Sequence, residues 1–148
     1  MNNLLLVRHG QSLWNKEKRF TGWADIDLSD QGKSEAKYAG QLIKELDIEF
    51  HAYFTSRLKR ASNTLKVILE ILDKKNADII ESDSLNERHY GGLTSLNKND
   101  TIKKYGKKQV QIWRRSFDIS PPPMESQHPY KNKINSNILS ESLQDTFE

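Results

Sequence analysis

Ionisable side chains that suit phosphate chemistry follow short apolar runs at three places in the chain. The first, "RHGQS", contains Arg8, His9 and Gly10, and the other two contain Arg60 and Glu87. An arginine presents a planar, permanently charged fork that matches phosphate oxygens, and a neutral imidazole can attack phosphorus to form a phosphohistidine. A carboxylate can carry the proton of an attacking or leaving hydroxyl. Each residue alone also suits a structural role, but together they favour a phosphoryl-transfer site.

Three apolar runs and two amphipathic stretches must position these groups. Residues 4–7 form a continuous apolar run that predicts a buried parallel strand, and 51–56 and 78–80 predict two more. Helices are predicted between them over 29–46, with a serine cap, and over 58–72. This alternation predicts an α/β fold with a mainly parallel sheet flanked by helices. Because ligands lie beyond the carboxyl ends of strands in such sheets, we expect the three polar segments to meet at one edge.

Helical spacing also predicts which side chains are buried. In the first two helices these are Ala36, Ala39, Leu42, Ile43 and Leu46, then Leu58, Ala61, Leu65, Ile68 and Leu72. Two more helical segments are divided at Gly106, and the second is predicted to share one face among Val110, Trp113 and Phe117. The prolines at 121–123 are predicted to end it. An exposed loop is predicted over 124–139, and Ser140 is predicted to cap a further helix.

The composition fits one domain of a protein from a reducing compartment. The chain has 148 residues, a formal net charge of +3, a mean hydropathy of −0.79 and no cysteine. We expect a single domain over 1–148, short at its C-terminus, with a polar loop and tail over 124–148. No run has the features of a signal peptide or membrane span, which predicts a cytoplasmic protein without a membrane partner. The four histidines lack metal-ligand spacing, so no metal site is expected.

The segment 103–115, "KKYGKKQVQIWRR", holds six basic residues and no acidic one. It is interpreted either as a solvated helical face or as an anion site, and composition does not separate the two. Nucleic-acid binding is a third interpretation, which rests on this segment alone. Because the segment lacks interleaved aromatic residues for base stacking, no nucleic-acid partner is expected.

Five motifs, in this order, resemble the cofactor-dependent (2,3-bisphosphoglycerate-dependent) phosphoglycerate mutases of the histidine phosphatase superfamily. They are "LVRHGQSLWN", "FTGWADIDLSDQG", "TSRLKRASNTL", "LNERHYGGLTSLNK" and "KYGKKQVQIWRRSFDISPPPM". The resemblance covers 1–124 almost without a gap, and weaker similarity continues at 128–130 and 140–146. The first motif together with "FTGW" and "NERHYG" favours the mutase branch over general phosphatases.

The resemblance implies a role for each matching residue. His9 is implied to be the phosphorylated nucleophile and Glu87 the general acid and base, with Arg8 and Arg60 as further catalytic residues around the transferred phosphoryl group. The implied substrate-binding residues are Arg8, Gly10, Gln11, Ser12, Asn15, Thr21, Gly22, Arg60, Glu87, Arg88, His89, Tyr90, Lys98, Arg114 and Arg115. The last three are implied to hold a carboxylate or second phosphate. The four lysines of the basic segment, Lys103, Lys104, Lys107 and Lys108, are then expected to be a solvated face.

The resemblance also implies a reaction and its ligands. It implies an isomerase that interconverts 3-phosphoglycerate and 2-phosphoglycerate in glycolysis and gluconeogenesis. The implied partners are small phosphorylated three-carbon acids, with 2,3-bisphosphoglycerate as the priming phosphoryl donor and no metal. The resemblance leaves open whether the chain forms a homo-oligomer.

One feature of the family has no match in this sequence. Its members carry a second histidine beside the transferred phosphoryl group, and no histidine follows Tyr130 here, while His89 and His128 belong to other motifs. We therefore expect an incomplete sheet and a turnover lower by on the order of 10²–10³, by analogy with the loss of one oxyanion-hole donor. Two alternatives stay open. One is a phosphohistidine-type phosphatase on small phosphate esters, against which the long segment 96–117 argues; the other is a non-catalytic, partner-binding fragment.

Overall fold

The computed structural model describes residues 3–134 of the 148-residue chain. These residues form two compact units. The first unit contains the described residues up to Lys16 together with Ile26–Asn86, and the second contains Glu17–Asp25 and the described residues from Glu87 onward. The architecture is α/β, which confirms the predicted fold class. That 1–148 form a single domain stays a prediction.

Helices and strands alternate in the first unit. In chain order they are α1 Leu13–Lys16, α2 Asp30–Glu45, β1 Tyr53–Thr55, α3 Lys59–Ile71 and β2 Ile79–Glu81, followed by a 3₁₀ turn at Asp83–Leu85. Strands β1 and β2 pair in parallel, with Tyr53 opposite Ile79 and Thr55 opposite Glu81. Parallel neighbours need a crossover between them, which α3 provides here. The predicted parallel pair and its crossover helix are therefore confirmed.

The apolar run Leu4–Val7 does not form the predicted buried strand. Its four side chains are between 40% and 84% exposed, and the segment has no regular secondary structure. An apolar sequence favours burial, but a strand requires a neighbouring backbone that completes its ladder hydrogen bonds. Within residues 3–134 the sheet consists of β1 and β2 alone. The prediction of a strand before Arg8 is therefore wrong, and the His9 turn follows an irregular segment instead.

Helix α2 begins and ends where the sequence predicts, but its buried face is different. The Ser29 side chain accepts a hydrogen bond from the Gly32 N–H and caps the helix. The buried residues are Gly32, Ala36, Gly40 and Ile43, whereas Leu42 and Leu46 are exposed. Helices α2 and α3 pack together, and a Cβ at Gly40 would lie 3.0 Å from the Ile71 side chain. This close approach selects small residues for the contact, which an apolar pattern does not reveal.

Helix α3 buries polar groups in its N-terminal half and apolar groups in its C-terminal half. Arg60, Ser62 and Thr64 are buried near its start, and Ile68 and Leu69 near its end. The predicted apolar stripe therefore describes only part of the buried face. Buried polar groups are normally hydrogen-bonded, and the Ser62 and Thr64 hydroxyls donate to the carbonyls of Lys59 and Arg60 within the helix.

The second unit contains two short helices and a small apolar core. Helices α4 Lys98–Tyr105 and α5 Lys107–Arg115 are divided at Gly106, which has a φ of +82°, as the predicted break requires. A second 3₁₀ turn spans Gly91–Leu93. The buried core residues are Phe20, Leu93 and Val110, with Tyr90, Ile102 and Trp113 packed against them.

The end of the second unit departs from the sequence-based expectations in two ways. Helix α5 ends at Arg115 because Ser116 adopts an extended conformation, so the prolines at 121–123 do not terminate it and Phe117 is fully exposed rather than buried. Residues 131–134 are helical, and Ile134 is only 3% exposed, so the predicted exposed loop is wrong there. The helix predicted to start at Ser140 lies outside the described residues.

Within residues 3–134, no helix combines the length and the apolar character needed to cross a bilayer.

Candidate active site

The His9 imidazole is held by the backbone of the next residue. His9 Nδ1 lies 2.6 Å from the Gly10 carbonyl oxygen. Because a carbonyl oxygen only accepts hydrogen bonds, Nδ1 carries the proton and donates. In a neutral imidazole of this tautomer the lone pair is on Nε2, which is the nitrogen able to attack an electrophile.

The turn after His9 is packed tightly on the start of helix α2. A Cβ at Gly10 would overlap the Gly32 carbonyl oxygen, so this position requires glycine. The Gln11 N–H donates to Glu35 Oε2 at 2.8 Å, and the Gln11 carbonyl accepts from the Ser29 N–H at 2.9 Å. These contacts use the backbone of Gln11, so they fix the direction in which the chain leaves His9.

Ser12 and Asn15 form a reciprocal pair at the start of helix α1. The Ser12 N–H donates to Asn15 Oδ1, and the Asn15 N–H donates to Ser12 Oγ, both at 3.1 Å. Ser12 is fully buried. Because both bonds use acceptor oxygens, the Ser12 hydroxyl hydrogen and the Asn15 amide hydrogens lie outside this pair, and hydrogens of this kind are what a phosphoryl oxygen accepts.

Arg60 and Arg8, the two arginines of the implied catalytic set, are in different environments. Arg60 is 1% exposed in the first turn of α3, whereas Arg8 is exposed. The Gly10 N–H donates to Thr64 Oγ1 at 3.1 Å, and that hydroxyl donates to the Arg60 carbonyl at 2.6 Å. Two of the three polar segments predicted to meet are therefore in contact within the first unit, namely the His9 turn and the start of α3.

Asp27 links α3 to the start of α1. Its carbonyl accepts from the Leu13 N–H at 3.0 Å, and its Oδ1 accepts from Asn63 at 2.8 Å and from the Leu28 N–H at 2.6 Å. Burial raises the pKa of the Asp27 carboxyl, but these two hydrogen bonds and the nearby Lys33 and Lys59 outweigh it, so the net pKa is lowered. The ionised carboxylate therefore fastens the loop that carries the motif "FTGWADIDLSDQG".

In the second unit, the loop with Thr21 and Gly22 lies against the segment that begins at Glu87. The Trp23 indole N–H donates to the Glu87 carbonyl at 2.7 Å. Gly22 has a φ of +54°, and a Cβ there would meet the Tyr90 backbone nitrogen at 3.1 Å. Thr21 is buried, and its hydroxyl oxygen makes no hydrogen bond among the described residues. The predicted residues of these two loops are thus brought together.

Arg88 and His89, both implied to bind substrate, are engaged with the protein backbone. Arg88 Nη1 donates to the Ser116 carbonyl at 2.6 Å and Nη2 to the Ile119 carbonyl at 2.7 Å. His89 Nδ1 accepts from the Gly91 N–H at 2.9 Å. Burial lowers the pKa of His89, which favours the neutral ring that can accept this bond. The structure therefore gives both side chains a role in shaping the segment around Glu87.

Three basic residues lie on the two short helices of the second unit. Lys98 begins α4, and its Nζ lies 5.9 Å from the centre of the Phe20 ring. Arg114 has a buried Nε that makes no hydrogen bond among the described residues, and Arg115 is exposed. As expected for a solvated face, Lys103, Lys104, Lys107 and Lys108 are all exposed.

Two residues with clear positioning contacts were not assigned a role from sequence. Trp23 lies in the quoted "FTGW" and holds the Glu87 backbone, and Thr64 lies four residues after Arg60 in "TSRLKRASNTL". A hydroxyl one helical turn after a candidate arginine is a signal that the sequence contained. Among residues 3–134, no group of three or more acidic or histidine side chains is arranged to hold a metal ion.

Comparison with known proteins decides the family. The family model "Histidine phosphatase superfamily (branch 1)" matches residues 4–139. The chain belongs to this superfamily. Two curated members that it resembles are named 2,3-bisphosphoglycerate-dependent phosphoglycerate mutase: one from Hydrogenobaculum sp. (strain Y04AAS1) is 49% identical over all of the chain, and one from Porphyromonas gingivalis (strain ATCC 33277) is 47% identical over 99% of it. The chain spans 64% and 62% of their lengths.

Solved structures of other proteins are similar in fold to this chain. A phosphoglycerate mutase from Bacillus anthracis str. Sterne has a TM-score of 0.63 at 24% identity, over 71% of this chain and 47% of that one. A mycobacterial glucosyl-3-phosphoglycerate phosphatase with bound VO3 has a TM-score of 0.65 at 23% identity, over 76% of this chain and 53% of that one. Mutases and phosphatases are thus both similar in fold to this chain.

Proposed function

We propose that the chain performs the phosphoryl transfer of a 2,3-bisphosphoglycerate-dependent phosphoglycerate mutase, an isomerase that interconverts 3-phosphoglycerate and 2-phosphoglycerate in glycolysis. The observation that carries this proposal is the 49% and 47% identity to two proteins of that name over almost the whole chain. The bond from His9 Nδ1 to the Gly10 carbonyl supports it, because that bond leaves Nε2 as the nucleophile.

In the proposed reaction, His9 Nε2 attacks the phosphorus atom of the donor. The phosphorus–nitrogen bond forms while the bond to the donor's ester oxygen breaks, and that oxygen takes up a proton. The positive charge of Arg60 is proposed to stabilise the oxygens of the transferring group, with the Ser12 hydroxyl and the Asn15 amide as additional donors. Glu87 is proposed to supply the proton and then to remove one from the accepting hydroxyl.

The substrates we propose are small phosphorylated three-carbon acids. Two observations fit an anionic ligand: the buried guanidinium of Arg60 and the buried Nε–H of Arg114, which makes no hydrogen bond among the described residues. Arg114, Arg115 and Lys98 are the residues we propose for a carboxylate or second phosphate. 2,3-Bisphosphoglycerate, when bound, supplies the phosphoryl group that primes His9, and the proposed chemistry needs no metal.

A phosphatase acting on small phosphate esters is the second candidate. The observation that favours it is the breadth of the matched family, whose name is that of the histidine phosphatases. The two functions share the phosphohistidine and differ in the acceptor, which is a substrate hydroxyl in the mutase and water in the phosphatase. They are therefore separated by their products.

The test is a time course with 3-phosphoglycerate and a small amount of 2,3-bisphosphoglycerate, followed by phosphorus NMR. The purified chain is expected to produce 2-phosphoglycerate faster than it releases inorganic phosphate, and His9→Asn is expected to abolish the product. Release of inorganic phosphate without 2-phosphoglycerate would replace the mutase by the phosphatase. Equal rates for the chain and for His9→Asn would contradict both.

A further inference from the structure

The orientation of His9 depends on a residue that has no side chain to restrain it. The Gly10 carbonyl accepts the His9 Nδ1 hydrogen bond, and only glycine fits at this position because a Cβ would overlap the Gly32 carbonyl oxygen. Glycine has the widest range of backbone conformations of any residue. The Gly10 carbonyl belongs to the Gly10–Gln11 peptide, which is fixed because the Gln11 N–H donates to Glu35 Oε2 at 2.8 Å. The His9–Gly10 peptide, on the other side of Gly10, needs an anchor of its own.

Thr64 supplies such an anchor. Its Oγ1 accepts the Gly10 N–H at 3.1 Å and donates to the Arg60 carbonyl at 2.6 Å. The direction of both bonds is fixed, because an N–H only donates, a carbonyl only accepts, and the hydroxyl has a single hydrogen. Thr64 is 4% exposed, so water competes little for either partner.

We propose that Thr64 is a positioning residue for the phosphoryl-accepting histidine, an inference that rests on the proposed function. Its hydroxyl joins the His9–Gly10 peptide to the first turn of α3, where Arg60 lies. One side chain thus fixes the peptide that links the His9 ring to the Gly10 carbonyl, and holds this peptide against the helix turn that carries the buried guanidinium. Thr64 acts through these two residues and need not touch the substrate.

A simpler role for this hydroxyl has to be separated from the proposed one. Threonines inside helices often donate to the carbonyl four residues earlier, with only a local effect. Thr101 in α4 does so, since its Oγ1 donates to the Asn97 carbonyl at 2.7 Å, and it is also 4% exposed. It belongs to the second unit, whereas His9 belongs to the first. Thr101→Val is therefore a matched control for Thr64→Val.

The first readout is the His9 ring, observed by ¹H–¹⁵N NMR without any substrate. In the unsubstituted chain we expect Nδ1 to be protonated and Nε2 to be the unprotonated nitrogen. Thr64→Val, which keeps the shape and removes the hydroxyl, is expected to move the ring toward a mixture of tautomers. Thr64→Ser, which keeps the hydroxyl, and Thr101→Val are expected to leave the His9 spectrum unchanged. An unchanged His9 spectrum in Thr64→Val would overturn the proposal.

The second readout is the rate at which His9 becomes phosphorylated by 2,3-bisphosphoglycerate. Thr64→Val is expected to lower this rate roughly ten- to a hundredfold, the loss typical of a misplaced reacting group, and Thr64→Ser to restore most of it. A Thr64→Val rate equal to that of Thr101→Val would overturn the proposal. If no variant, nor the unsubstituted chain, is phosphorylated, the proposed function fails while the NMR spectra still decide the role of Thr64.

A third measurement covers the case in which Thr64→Val does not fold. In the unsubstituted chain the Gly10 amide is predicted to exchange slowly with solvent, because it donates to a buried hydroxyl. Thr64→Ser is predicted to keep this protection. Rapid exchange of the Gly10 amide in the folded, unsubstituted chain would show that the bond does not hold the peptide, and would overturn the proposal without any valine variant.

Discussion

Arg88 fastens the segment after helix α5 to the segment around Glu87, and its removal should loosen that segment. The guanidinium donates to the carbonyls of Ser116 and Ile119 at 2.6 and 2.7 Å. Hydrogen bonds to charged groups contribute about 1.5–3 kcal/mol each. The bond to Ile119 is solvent-exposed, so we expect its contribution to be at or below the low end of this range. Arg88→Ala is therefore expected to lower the free energy of unfolding by about 2 kcal/mol.

The assay combines thermal unfolding with amide hydrogen exchange. A loss of about 2 kcal/mol corresponds to about 4–8 °C in Tm for a chain of this size, and exchange should accelerate most over 116–119. The Tm of Arg88→Lys should lie between those of the unsubstituted chain and Arg88→Ala, because one ammonium group cannot reproduce a guanidinium that reaches two carbonyls. Arg115→Ala, at an exposed position on α5, is the control and should leave Tm unchanged. Unchanged Tm and exchange in Arg88→Ala would refute the reasoning.

Three further changes probe the packing and the titration of the two units. Gly10→Ala should lower the free energy of unfolding by about 1–3 kcal/mol, because its Cβ overlaps the Gly32 carbonyl. Chemical denaturation measures this, and an unchanged free energy of unfolding would contradict it. Burial lowers the pKa of His89 below 6.5, so its contribution to stability is complete above about pH 6.5 and is lost as the pH falls through the folded-state pKa. His89→Asn, whose Oδ1 can still accept the Gly91 N–H, should reduce the fall in Tm between pH 7.5 and 5, and an identical fall would disprove it. The lowered pKa of Asp27 makes its contribution complete above its ordinary value of 3.8 and lost below it, so Asp27→Asn should narrow the stability difference between pH 5 and 3, and an undiminished difference would count against that assignment.

The helices are predictable from sequence because their signals are local. Ser29 supplies a cap, the periodicity continues to the end of α2, and Gly106 divides α4 from α5 as expected. The conformation of Leu4–Val7 is not predictable in this way, because a strand forms only where a distant backbone pairs with it. The buried face of α2 was misplaced for a related reason: its packing distance to α3 selects glycine and alanine over leucine, and that distance is set by the partner helix.

The candidate site divides in the same way. His9, Gly10 and Arg60 are candidates by residue type and position and remain predicted site residues; the contact between the His9 turn and the start of α3 agrees with their predicted proximity. The contacts of Arg88 are not predictable from the sequence. Its partners are the carbonyls of Ser116 and Ile119, and a carbonyl group is present at every position of the sequence. Contacts between a side chain and a distant backbone therefore need coordinates, and here they separate a positioning arginine from the arginines proposed to bind anions.

The central claim is that His9 accepts a phosphoryl group through Nε2. It is tested most directly by incubating the chain with 2,3-bisphosphoglycerate and mapping the phosphorylated atom by mass spectrometry and phosphorus NMR at alkaline pH, where phosphohistidine survives. We expect one phosphoryl group on Nε2 of His9, absent in His9→Asn and present in His51→Asn, a matched change at an exposed histidine. Phosphorylation at Nδ1, at another residue, or undiminished in His9→Asn would contradict it.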